Sequence, residues 1–315
     1  MLDARQLQAL SAVMEHGSFS AAASALSLTL SAVSLRIKQL EAALGQRVLV
    51  RGKTVRATPA GQRLLAHTRQ LRLMEAELLG GLRGEPSLAG NSAVPEPPVR
   101  LQRLSVAVNA DSLASWFLPG VAESLQKHHL LLDTVIDDQD HTHDALANGD
   151  VTGCITTLSQ AMRGCVAEPL GRMRYHCMAA PLLVARWREA GLPHAMLRSP
   201  AVIFNRKDAL QDAFLALHFG LKNVLYPRHF MPAVDAFELA LELGLGWGMV
   251  PSLLLDLRPA SRRNLLCDVM PGCTIDVMLY WQRWQREPAA AQRLSQAIRQ
   301  AASAKLLPAE AEPAT

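Results

Sequence analysis

Apolar residues in the first 58 positions recur with the spacing of short helices. Leu7, Leu10 and Met14 stripe a first helix expected from about Asp3 to His16, and Gly17 suits its C-terminal stop. Phe19, Ala22, Ala23 and Leu26 form the buried stripe of a second helix, which Ser18 can cap. Val33, Ile37, Leu40 and Leu44, spaced by 4, 3 and 4 residues, stripe a third, which Thr29 can cap. With successive residues about 100° apart, Ser31, Ser34, Leu35 and Lys38 share the face opposite that stripe. A small polar face with a cation, backed by a core stripe, is what a helix entering a DNA major groove needs. Val48–Val50, the turn Gly52-Lys53 and the return Val55-Arg56 then predict a basic β-ribbon. Arg51, Lys53 and Arg56 sit at its tip, where they would meet phosphates or a minor groove.

The period changes after residue 58. Thr58-Pro59 is a capped helix start, and the helix is expected to run over 59–82. Leu64, Leu71 and Leu78 repeat every seven residues, so this stripe has to pack on another helix. The same helix of a second subunit is the simplest partner, and the chain's own body is the other. Residues 83–99 contain four Pro and two Gly and read as a linker. Beyond the linker the texture is α/β. Strands are expected at Leu104–Val108, Leu130–Asp137, Val151–Thr156, Ala201–Phe204, Val224–Tyr226, Trp247–Val250 and Cys273–Trp284. Helices are expected at Ser112–Lys127, Thr142–Asn148, 234–244 and Ala289–Leu306, and the alternation argues a parallel, doubly wound sheet. Residues 307–315 are expected to be disordered.

Charge sharpens this division. Residues 1–84 carry eleven Lys/Arg and five Asp/Glu, a net +6 on a chain whose total is +4, so the remainder is −2. From Arg36 to Arg72 nine cations face one acid, Glu41. A positive field confined to one end is the footprint of a module that binds double-stranded DNA, carried by a body that binds something else. No run approaches the roughly 20 apolar residues of a membrane span, and the N-terminus is amphipathic, not a signal peptide, so a cytoplasmic protein is expected. Five cysteines without a C-x-x-C pair argue against a disulfide framework or a zinc site and for small buried thiols. His141 and His143, two apart on a short helix, point too far apart to chelate. No metal and no cofactor are expected. The sequence carries no G-x-S-x-G, phosphate loop or H-E-x-x-H, so no enzyme is expected either.

AAASALSLTLSAVSLRIKQLEAALGQRVLVR, followed by ATPAGQRLL, resembles the winged helix-turn-helix of LysR-type transcriptional regulators. SVAVNADSLASWFLP (105–119) and MLYWQRW (278–284) resemble the ArgP/LysG branch, which regulates arginine and lysine export and has the older label inhibitor of chromosome initiation. The resemblance implies a winged helix-turn-helix domain over 1–58, a dimerisation helix over 59–82 and a two-lobed effector domain of the periplasmic-binding-protein type over 100–306. Lobe I would hold about 100–160 and 276–306, and lobe II about 161–275, with crossings near Thr156–Glu168 and Cys273–Asp276. It further implies a homodimer or tetramer, contact with RNA polymerase, and a small effector, lysine or arginine, controlling an amino-acid exporter gene. The older label suggests the alternative, a ligand-independent protein acting at a replication origin or as an architectural factor. The family carries Gln at the position of Leu30, and Gln or Arg at that of Leu35, as residues that reach the bases. The chain departs from both, and an aliphatic side chain can touch a thymine methyl but makes no bidentate bond to adenine or guanine. With Ser18, Thr29, Ser31, Ser34, Arg36 and Lys38 these two complete the candidate reading face.

For the effector, ligands in open α/β sheets sit beyond the carboxyl ends of strands. Leu104–Val108 ends in Asn109-Ala110-Asp111-Ser112, a helix start suited to an α-carboxylate. Asp111, Asp137, Asp138 and Asp235 are available for a cationic far end, unless Asp111 is only an N-cap and the others a solvated acidic loop. Thr156 and Phe204, at two further strand ends, complete the candidate set.

Overall fold

A computed structural model of the chain describes residues 2–50, 55–82, 101–136, 145–146, 149–162 and 164–309. The expected linker, the wing turn with Arg51 and Lys53, the acidic stretch with Asp137 and Asp138, and His141 and His143 lie outside the described residues.

In the N-terminal unit, α1 (Ala4–Glu15) starts at Asp3, whose carboxylate accepts the Arg5 N–H at 2.8 Å. Helix α2 (Phe19–Ala25) packs against α3 (Leu30–Leu44), which stops at Gly45 in the left-handed region, φ 66°. Leu7, Leu10, Ala22, Ala23, Val33, Ile37 and Leu40 are buried in one core, as the periodicity predicts, with Val13 buried where Met14 was expected and Met14 partly buried beside it. The ribbon strands are β1 (Leu49–Val50) and β2 (Arg56–Ala57), one residue later than expected. The Glu41 carboxylate accepts the Val48 N–H at 2.9 Å and so ties α3 to the ribbon. Helix α4 (Pro59–Leu82) begins with Thr58, whose hydroxyl accepts the Gly61 N–H at 3.1 Å and donates to the Arg47 carbonyl at 2.8 Å. Gly61 lets the Val48 carbonyl approach; a Cβ there would lie 2.0 Å from that oxygen. Within one chain the heptad stripe divides. Leu64 and Leu71 lean on the N-terminal core, whereas Leu78 is 62% exposed.

The larger unit contains, in chain order, β3 (Gln102–Val108), the helix α5, β4 (Leu130–Ile136), β5 (Gly153–Thr156) and β6 (Cys165–Ala179). Helix α5 is continuous from Ala110–Ser112 through a π-helical turn, Leu113–Phe117, to Leu118–Lys127, and so starts two residues before Ser112. There follow α6 (Pro181–Ala190), α7 (His194–Leu197), β7 (Ala201–Ile203), α8 (Leu210–Phe219), β8 (Arg228–Phe230) and α9 (Val234–Glu242). The chain then forms β9 (Trp247–Pro251), α10 (Ser252–Leu257), α11 (Ala260–Arg263), β10 (Cys267–Asp268), β11 (Thr274–Trp284) and α12 (Ala289–Lys305).

The strand order is β4-β3-β5-β11-β6-β9-β7-β8, with β10 also on β6. The sheet is therefore mixed, where a wholly parallel one was expected. The pairs β3–β4, β3–β5, β7–β8 and β7–β9 are parallel, but β6 and β11 run antiparallel at the centre. The reason is topological: the chain passes from one half to the other and returns, so its two crossings point in opposite directions and pair. Both crossings are thus strands, longer than the junctions expected near Thr156–Glu168 and Cys273–Asp276. Where neither flanking sheet covers β6, around Gly171 and Arg172, the C-terminal end does: Leu307 pairs with Arg172 through bonds of 2.8 and 3.0 Å. Residues 307–309 are accordingly not a loose tail. Val224–Tyr226 is not a strand. Tyr226 is held down by its hydroxyl bond to Asp212 at 2.6 Å, Leu225 is 96% exposed, and the strand starts at Arg228 after Pro227.

Trp281 lies in the core of the larger unit, its indole N–H donating to Ser295 at 2.9 Å. Its ring covers Gly153, where a Cβ would meet ring carbons at 2.4 Å. Gly153→Ala should therefore overpack the core and destabilise this unit by about 1–3 kcal/mol, read as an earlier denaturant midpoint in tryptophan emission.

Candidate DNA-binding face and effector pocket

The two helix caps expected in the N-terminal unit are formed. The Ser18 hydroxyl accepts the Ala21 N–H at 3.1 Å and that of Thr29 accepts the Ala32 N–H at 3.2 Å, while Thr29 and Ser31 hydroxyls bond each other at 3.0 Å. Leu30, Ser31, Leu35 and Lys38 are exposed on α3, with Ser34 and Arg36 half-buried. Arg56 is exposed on β2. This face has a continuous hydroxyl, methyl and ammonium surface, and the buried stripe behind it fixes its orientation.

In the larger unit a pocket of about 350 Å³, counting its open mouth, lies between the end of β3 and the second half of the sheet. Asp111 and Phe204, two of the candidates, line it together with Asp208, Val234, Glu238 and Pro251. Three carboxylates thus converge on one cavity. The Tyr175 hydroxyl donates to Asp111 Oδ2 at 2.8 Å from β6. Asp208 Oδ2 accepts the Phe204 N–H at 3.2 Å and Oδ1 the Leu210 N–H at 3.0 Å, which pins it at the entry to α8. Glu238 Oε2 accepts from Arg258 Nη1 at 2.6 Å; Arg258 is 5% exposed and also pairs with Glu242, which in turn holds Arg262.

Burial pushes the Asp111 carboxyl up to about 6; the Tyr175 bond opposes that rise, and nearby Asp208 and Glu238 add to it. Burial also raises Asp208, against the two backbone N–H bonds, and raises Glu238, against Arg258 and Arg262. Three acids whose ionised forms are destabilised in one cavity form a site that gains most from an incoming cation.

The remaining candidates fall elsewhere. Ser112 is buried with its hydroxyl accepting the Trp116 indole N–H at 3.1 Å. Asn109 precedes α5 without a side-chain capping bond, and its Oδ1 is buried and unpartnered. Thr156 is buried at the end of β5, accepting the Leu158 N–H at 3.2 Å. Asp235 is exposed at the start of α9; Glu238, almost one turn on, faces the pocket instead. Sequence reasoning missed Asp208, Glu238, Tyr175 and Arg258. Glu238 carried a signal, because it falls four residues after Val234 in the apolar stripe Val234, Phe237, Leu241. Among the described residues no cluster of three His, Cys, Asp or Glu is arranged to hold a metal, and all five cysteines are free thiols. No single described helix is long and apolar enough to cross a membrane.

Residues 4–62 match the bacterial regulatory helix-turn-helix protein model of the LysR family, and residues 100–303 match the LysR substrate binding domain. The regulator ArgP of Aeromonas salmonicida is 39% identical over 298 residues, 94% of this chain and 95% of that protein. LysG of Mycobacterium bovis is 40% identical over 304 residues, 96% and 94% of the two chains. The crystal structure of ArgP from Mycobacterium tuberculosis superposes with a TM-score of 0.85 at 38% identity, covering 98% of this chain and 99% of that one. Full-length LysG from Corynebacterium glutamicum with bound effector Arg gives 0.78 at 30% identity, covering 98% of this chain and 100% of that one. A basic helix-turn-helix unit joined to a ligand-binding sheet, matched over nearly its whole length, makes this chain a DNA-binding transcriptional regulator that belongs to the LysR family, on its ArgP/LysG branch.

Proposed function

We propose that this regulator is switched by a basic amino acid, arginine or lysine, whose cationic end enters the pocket of Asp111, Asp208 and Glu238. The convergence of three half-buried carboxylates carries the reading, and the arginine-bound LysG relative supports it. The effector's α-carboxylate would meet the N–H groups at the start of α5, beyond Asn109, with the helix dipole favouring a negative charge there. Binding can shift DNA affinity only as far as it favours one arrangement of the two halves of the sheet, and the coupling is reciprocal. On this reading the regulated gene is an amino-acid exporter, as the branch resemblance implies.

The reading face contacts DNA with Ser31, Ser34 and Lys38 in the groove and Arg56, Arg51 and Lys53 on the backbone; the caps of Ser18 and Thr29 and the flank of Arg36 support it. Leu64, Leu71 and Leu78 of α4 form a seam with a second subunit. Of the three, Leu78 is the most exposed, at 62%, and so the one most in need of a partner outside its own chain.

Three outcomes test these roles. Calorimetry should give heats with arginine and lysine but none with norleucine, which lacks the cationic end; equal binding of norleucine would sink the carboxylate role. Because Asp111 is largely protonated below about pH 6 and a bound cation favours its ionised form, binding should release a proton and strengthen as pH rises through about 5 to 7. Asp111→Asn should flatten that dependence and weaken binding. Next, Arg56→Ala should weaken binding to all duplexes about equally and lower the log–log salt slope by about 0.9, as loss of one phosphate contact does. Finally, Leu78→Asp, a change at an exposed side chain, should shift the sedimentation equilibrium towards monomer; an unchanged dimer would place the seam elsewhere.

A further inference from the structure

We propose that Leu30 and Leu35 are specificity-determining residues that read thymine C5-methyl groups in the major groove. The first observation is their exposure. Leu30 is 53% and Leu35 56% exposed, whereas Val33, Ile37 and Leu40 on the same helix are fully buried in the N-terminal core. Neither leucine is therefore needed to hold α3 in place. In a helix-turn-helix it is the N-terminal part of the second helix that meets base edges. Here that part reads Leu30-Ser31-Ala32-Val33-Ser34-Leu35, with no Asn, Gln, Arg or Lys able to make a bidentate bond.

The hydroxyls do not fill the gap, because a Ser or Thr hydroxyl, that of Ser34 included, bonds to donors and acceptors alike and discriminates little between bases. Thr29 is committed to the Ala32 N–H, and its remaining capacity is shared with Ser31. The groups left free to discriminate between base pairs at the tip of α3 are mainly methyls. The one apolar feature a B-form major groove presents is the thymine methyl, so an aliphatic reading face selects for its position. Charge identifies the partner as DNA and not an apolar protein surface, because the segment that follows the leucines along the chain, Arg36 to Arg72, carries nine Lys/Arg against one acid. The ammonium of Lys38 is exposed on the same face. Cations hold the helix in the groove while the leucines sense where methyls stand.

The test uses the full chain and a preferred duplex selected from a randomised pool. Replacing its thymines with deoxyuridine removes only the methyl groups and keeps base pairing. Each methyl read by a leucine should be worth about fourfold in affinity, the transfer value of one buried apolar carbon, with the salt slope unchanged. Leu35→Ala and Leu30→Ala should each weaken binding to the thymine duplex and abolish the thymine–uracil difference at separate positions. Both side chains lie outside the core, so the variants keep the parent melting temperature. Equal affinity of the parent chain for thymine and uracil duplexes would overturn the assignment. So would a methyl effect that persists undiminished in both variants, or an alanine variant that changes only self-association.

Discussion

Eleven residues of β11 pair antiparallel with β6, and the rest of the larger unit is attached to one side or the other of that ribbon. Strand β5 and its neighbours extend it from Tyr280–Arg283, and β9 and its neighbours from Tyr175–Ala179. The two halves are thus joined through a two-stranded segment whose register cannot slip by one residue without turning every side chain to the wrong face. That excludes sliding as a way for the halves to move and leaves twisting and bending. The bulge between Leu279 and Tyr280, opposite Gly171 and Pro169, is where the ladder is already irregular. Three residues before the bulge, Arg174 and Arg172 converge on Asp276, holding the carboxyl below the usual carboxylate range and pinning the two strands together.

The pocket owes its electrostatics to this arrangement. Asp111 comes from the first half of the sheet, Tyr175 from the joining ribbon, and Asp208 and Glu238 from the second half. Bringing three carboxyl groups to one cavity is unfavourable: burial raises all three, and Arg258 is committed to Glu238. Arg258 is itself neutralised by Glu242, and Glu242 by Arg262, so the chain of charges ends at an exposed guanidinium. A site of this kind binds weakly to neutral molecules and gains most from a ligand that supplies the missing positive charge.

The N-terminal unit was almost fully legible because its signals are local. Helical stripes, two hydroxyl caps and a left-handed glycine each act within a few residues. The larger unit was legible in its local alternation and illegible in its seam. Strand β6 contains Pro169 and Gly171, which read as breaks, yet Pro169 is tolerated beside the bulge and Gly171 (φ 136°) lets the Leu307 carbonyl pass. Val, Leu and Tyr at 224–226 have strand propensity but no sheet to join, since β8 pairs with β7 only from Arg228. At the site, the strand-end rule found Asp111 in the first half. Applied equally to the end of β7, it leads to Asp208, whose carboxylate accepts the Leu210 N–H at the entry to the next helix. Glu238 could be seen only by asking why an acid sits in an apolar stripe.

Trp116 donates its indole N–H to Ser112, next to the pocket's Asp111, and Trp247 lies on β9 beside Met249 and Pro251 of the pocket wall. The other three tryptophans, Trp187, Trp281 and Trp284, and all three tyrosines, Tyr175, Tyr226 and Tyr280, belong to the same unit. Residues 1–82 contain neither. The tryptophan and tyrosine emission of this protein therefore originates wholly in the ligand-binding half, and the DNA-reading half is silent on excitation of those rings. Tryptophan fluorescence reports the state of the input and carries no direct signal from the output, so the input can be followed by itself in an unlabelled chain.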